Sequence, residues 1–211
     1  MSTTGSAAWE KTKSRLRDIG FYLPLFFRSP VASIQRVPDW DIVNAMLLLV
    51  LITIPSGILS GVIARNMMTI LWGIFLLPIT AVIFTILITA GFYYLFMALF
   101  RVKVDPVKLF LTVVLSAIPF LVIRIIVPVL PPLLPFGVLL SGILLIVGFT
   151  DNFKLPRKQV LNLMGACFAV FMVFWIVQMI QSTSRRSAIH REIPADALQT
   201  LEKEFEQPDA E

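Results

Sequence analysis

One cysteine and one histidine, Cys167 and His190, occur in 211 residues. A disulfide framework needs paired thiols and a metal site of ordinary ligand count needs several converging donors, so neither is expected within this chain. Charge is scarce too: Asp, Glu, Lys and Arg make up 15% of the residues, where a soluble domain carries about a quarter. The scarcity is uneven. Residues 42–64, 66–100, 125–150 and 159–184 contain no charged side chain, and each run exceeds the roughly 20 apolar residues that carry a helix across a hydrocarbon core.

The same absences bear on chemistry. The apolar spans hold no Asp, Glu, Lys or His, and proton-coupled carriers commonly use an intramembrane carboxylate. A zinc hydrolase needs an HExxH pair, and a phosphate loop needs GxxxxGK; neither motif is present. Ser56, Ser60, Ser116 and Ser141 have no histidine or lysine at their depth to act as base. No catalysis and no cofactor are expected. The net charge of +5 does not point to nucleic acid, because the basic residues flank the apolar runs as topology signals do.

What is present is an all-α pattern: a polytopic membrane protein with five transmembrane helices, an N-terminal interfacial segment and a short polar C-terminal tail. The expected divisions are residues 1–40, basic and aromatic; 41–181, the membrane domain; and 182–211, acidic and partly helical. Spans are expected at approximately 42–63, 79–100, 109–127, 133–150 and 160–180. Asp41 is placed to cap the first. The run 66–100 would be about 52 Å long as one helix, so its first part, around Trp72, is expected to lie in the interface or re-enter, bending at Pro78. The prolines from Pro128 to Pro135 divide the third span from the fourth.

Lys and Arg cluster in the N-terminal segment, in the second connection (Arg101, Lys103, Lys108) and in the fourth (Lys154, Arg157, Lys158). The positive-inside rule puts these on the cytoplasmic side and, with five spans, the C-terminus outside.

Three groups of residues invite attention. Gly57 and Gly61 form a GxxxG face widened by Ser56 and Ser60, and Gly137 with Ser141 and Gly165 with Ala169 repeat its spacing; such faces let helix backbones approach, within one chain or between copies. Pro55, Pro78 and Pro119 each free a carbonyl one turn earlier and are candidate kinks, with Thr112 and Ser116 near enough to help at Pro119. Lys11, Lys13, Arg15 and Arg17, among Trp9, Phe21, Tyr22, Phe26 and Phe27, are candidate contacts to lipid headgroups or to a cytosolic partner. Arg124 is the one charge between residues 109 and 150. About 22 Å along its span, it is expected to snorkel to the nearer interface or to hold an anionic headgroup there. In the tail, Pro194 followed by Leu198, Leu201 and Phe205 suggests a short amphipathic helix.

The stretches "FFRSPVASIQRVPDWDIVNAMLLL" and "VKLFLTVVLSAIPFLVI", the second leading from a basic-aromatic start to Ser116, Ala117 and Pro119, resemble the Yip (Ypt-interacting protein) family of five-span membrane proteins. The resemblance covers approximately residues 21–180. Eukaryotic members are associated with Rab-type GTPases and vesicle traffic. Residues 18–24, "DIGFYLP", lack the DLYGP-like signature of that branch, a departure that favours a bacterial member in the cytoplasmic (inner) membrane. The resemblance implies a non-catalytic organiser or adaptor working through lipids, an unidentified protein partner or self-association; a small transporter or channel component is the alternative.

Overall fold

A computed structural model describes residues 3–191 in backbone and 9–181 in side chains. The described chain is helical, without strands: α1 (Thr3–Arg28), α2 (Pro30–Gln35), α3 (Ile42–Ile63), α4 (Met67–Leu95, continued by a π turn, Phe96–Phe100), α5 (Pro106–Arg124), α6 (Leu134–Phe153, after a 3-10 turn, Pro131–Leu133) and α7 (Arg157–Arg191). Five of these helices are long and apolar enough to cross a membrane, which makes the chain an all-α integral membrane protein. Residues 1–168 form one compact unit, and residues 169–211 form a second whose described part is the remainder of α7. The expected tail helix at Leu198, Leu201 and Phe205 lies outside the described residues, as does His190's side chain.

Local chemistry sets the helix ends. Asp41 Oδ1 accepts the Asn44 N–H at 2.9 Å, Asn66 Oδ1 accepts from Met68 at 3.0 Å, and Asp105 Oδ1 accepts from Val107 at 3.0 Å. Each carbonyl or carboxylate oxygen satisfies an N–H that the first turn leaves unpaired. At the other ends, the non-glycine residues with positive φ are all basic: Arg65, Arg101 and Lys154, at 51°, 54° and 54°. A left-handed residue stops the helix, and its cation faces the negative end of the helix dipole.

The helix bounds refine the expected spans. The first agrees. The second differs: α4 runs unbroken from Met67 through Pro78, so residues 67–77 belong to the same helix and the break expected at Pro78 does not occur. Proline removes one hydrogen bond, and a helix held by close neighbours on both sides of it can continue. Asp105 and Pro106 start α5 one turn before the expected residue 109, and α5 closes at Arg124 rather than 127. The fifth helix extends past 180 to Arg191, so Arg185 and Arg186 belong to it.

The centre of the first unit is α5, 56% of whose apolar window is buried against 22% for α4. Leu109 to Ser116, Ile118 and Leu121 are buried among α3, α4 and α6. Lipid tails are as apolar as leucine, so close packing and hydrogen bonds between helices stabilise such a bundle, rather than escape from water. Ser56 Oγ donates across to the Leu121 carbonyl at 2.7 Å, tying α3 to α5. A second cluster joins Phe92, Phe96 and Phe149, the last two with ring centroids 4.8 Å apart and edge to face.

The glycine faces are used within the chain. A Cβ on Gly57 would stand 2.5 Å from the Gly73 Cα, and one on Gly61 would stand 2.5 Å from Ile70 Cγ1. The α3 and α4 backbones therefore touch, so the Gly57–Gly61 face is filled by α4 and is not a free surface for a second copy. Gly137 lies against α5, where a Cβ would meet the Phe120 Cα at 3.3 Å, while Ser141 Oγ is buried without a hydrogen-bond partner. Gly165 has open space around it. Pro55, Pro78 and Pro119 all sit inside continuous helices. The expected help at Pro119 takes another form: Thr112 donates to Lys108 and Ser116 to Val113, one turn from their own positions.

Candidate functional site

Two regions present groups that the fold leaves free. The first is the N-terminal platform. One face of α1 is docked: Ile19 and Phe26 are buried, Arg15 forms an ion pair with Asp41, and Tyr22 packs edge-on against Trp40 with centroids 5.0 Å apart. The Tyr22 hydroxyl donates to the Ser33 carbonyl at 3.0 Å, and burial pushes its pKa up to about 12. Asn152 Nδ2 donates to the Ile34 carbonyl at 2.7 Å and so fastens α2 to α6. Part of the aromatic set expected to enter lipid is thus in the protein core, and Arg15, expected at headgroups, is paired with Asp41.

The opposite face of α1 remains open. Lys13, Arg17, Phe21 and Phe27 are exposed on it, with Trp9 near its start, while Lys11 is exposed one turn before Arg15 on the docked side. At the same end of the bundle, Lys103, Lys108 and Lys154 line one cavity of about 270 Å³ together with Asn152. The second and fourth connections, separated by some fifty residues of sequence, therefore meet each other. Asn152 also holds α2, which brings the N-terminal segment to that end. The three basic segments thus share one end of the described bundle.

The second region is a cleft of about 560 Å³ between α3 and α4, at the end of the bundle where α5 closes. Its narrow base follows from the Gly57–Gly73 contact, since side chains there would hold the helices apart. Arg124 lines the cleft, half-buried, with no hydrogen bond or ion pair to a described residue. Ser60, Asn66 and Thr69 line it as well. Asn66 uses its oxygen to cap α4, which leaves its amide donors unused by the described residues. Trp72, Leu76 and Phe84 form an apolar wall along α4. No acidic side chain lines the cleft among the described residues.

Sequence reasoning named Arg124, Gly57 and Ser60 but not Asn66, Thr69, Trp72 or Gly73 as their neighbours. Asn66 carried a readable signal, an Asn directly before a long apolar helix. The remaining three become partners only when α4 folds back along α3. The described residues hold no group of three or more potential metal ligands. No protein-family model, curated protein or solved structure matches this chain.

Proposed function

We propose that this protein is a non-catalytic, Yip-like organiser or adaptor of a bacterial inner membrane, acting through lipid and protein contacts, with its N-terminus cytoplasmic and its C-terminus outside. The observation that carries this reading is the two-faced α1. Its inner face is fastened to the bundle by the Arg15–Asp41 pair and by buried Ile19 and Phe26, while its outer face offers Lys13, Arg17, Phe21 and Phe27. A helix held rigidly at a membrane surface presents a preorganised basic-aromatic patch, which lowers the ordering cost of binding. Anionic headgroups or an acidic partner surface are its natural complements.

The supporting experiment compares capture from native membranes by the wild type and by a Lys13→Glu/Arg17→Glu variant that keeps its thermal stability. A defined partner retained by the wild type and lost by the variant supports the adaptor. Capture indifferent to the substitutions, or solute flux through proteoliposomes of the purified protein, favours the transporter instead. Reporters fused at Lys154 and at Gln199 test the orientation, and finding both on one side would sink it.

A further inference from the structure

We infer that the cleft between α3 and α4 is a binding site for an anionic phospholipid, with its phosphate at Arg124 and one acyl chain lying along α4. The inference deepens the lipid-contact part of the proposed function and is independent of the α1 platform. Arginine stays charged in proteins, and a half-buried guanidinium at the end of a membrane-spanning helix requires a counter-charge or water. No described residue supplies an acid in this cleft, whereas Arg15, the other half-buried arginine among the described residues, has Asp41. The missing anion is therefore expected from outside the described bundle.

The other lining groups fit that ligand. The Ser60 hydroxyl, the Asn66 amide and the Thr69 hydroxyl make no side-chain hydrogen bond from their donors to a described residue. With the planar fork of Arg124 they form a donor set suited to phosphate oxygens. Below them the cleft changes character: from Thr69 to Phe84 it follows α4 for about 22 Å, past Trp72, Leu76 and Leu77. This exceeds the roughly 15 Å depth of one leaflet's hydrocarbon. A polar mouth at the bundle end above an apolar slot matches the build of a phospholipid, whereas a small free anion would use only the mouth.

The test uses full-length protein carrying Trp9→Phe, Trp40→Phe and Trp175→Phe, so that Trp72 reports from the cleft wall. It is placed in phosphatidylcholine vesicles containing a minor fraction of dibrominated phosphatidylglycerol or dibrominated phosphatidylcholine. The expected result is quenching of Trp72 by the anionic lipid at about fivefold lower mole fraction, the worth of one basic contact at a membrane surface. Arg124→Gln abolishes the preference, Arg124→Lys keeps part of it, and inorganic phosphate does not compete. Competition by inorganic phosphate would show that a free anion, not a lipid, occupies the mouth and would overturn the lipid assignment. Equal quenching by the two lipids, or a preference unchanged in Arg124→Gln, overturns the site itself. Should the tryptophan substitutions disturb the fold, native mass spectrometry of delipidated wild type and Arg124→Gln, each offered both lipids in equal amounts, separates the same outcomes by the lipid retained. Neither readout involves Lys13 or Arg17, so failure here and failure of the adaptor reading are separable.

Discussion

Adding a single methyl group at Gly57 should force α3 and α4 apart. In Gly57→Ala the new Cβ would lie 2.5 Å from the Gly73 Cα and 2.7 Å from the Gly73 carbonyl oxygen, against an ordinary contact that begins at 3.4 Å. The helices must therefore separate by nearly the difference, about 0.9 Å, because both obstructing atoms are backbone and cannot rotate away. Overpacking of this kind costs about 1–3 kcal/mol, while replacing glycine by alanine inside a helix returns about 0.5–1 kcal/mol. A net loss of about 0–2.5 kcal/mol is expected. The assay is reversible unfolding in mixed micelles with increasing SDS, followed by helicity. Gly165→Ala is the control, since nothing lies within 4 Å of its Cβ position, and it should be neutral or slightly stabilising. Gly73→Ala should resemble Gly57→Ala, and the double variant should cost less than the sum, because the first separation accommodates the second methyl. An unfolding midpoint for Gly57→Ala at or above that of Gly165→Ala would refute the direct backbone contact.

Ser56→Ala leaves the buried Leu121 carbonyl without its donor and should destabilise by about 0.6 kcal/mol, up to about 1.7, in the same titration; no change would mean that the hydroxyl is not the α3–α5 tie. Tyr22 gives a pH signature. Its phenol holds its proton up to about 12 when α1 is docked, against 10.0 ordinarily, so between these values the undocked chain binds fewer protons and rising pH favours release. The docking contribution is complete below pH 10 and is lost as pH rises through the upper value. Limited proteolysis of α1 should accelerate across that window in the wild type and much less in Tyr22→Phe; identical profiles would exclude the tyrosine as the cause.

How much of this was legible without coordinates differs from element to element. The first span was readable to its ends, because Asp41 and Arg65 bracket an uncharged run with a cap and a stop. The second was not. Its length exceeded one crossing, and proline chemistry suggested a break at Pro78 that the neighbouring packing overrides. Arg124 stood out at once as a lone charge, yet its position along α5 could not tell a side chain reaching for the interface from one lining a cleft. That distinction depends on Ser60 of α3, on Asn66 at the cap of α4 and on Thr69 within it. The N-terminal segment showed its basic-aromatic character, but not that Arg15, Ile19, Tyr22 and Phe26 turn inward while Lys13, Arg17 and Phe21 face out.

Charge-free runs longer than a bilayer core, interrupted by capping acids and basic stops, were enough to specify five helices and their order. Burying a backbone in hydrocarbon leaves the helix as its only local solution. The faces by which those helices meet came from the tertiary structure alone. Where lipid and protein interior are equally apolar, an inward leucine and an outward one look the same in sequence. The Gly57–Gly73 contact, the Ser56–Leu121 hydrogen bond and the cleft at Arg124 arise from shape and from a few polar atoms, and these find their partners only once the helices are side by side.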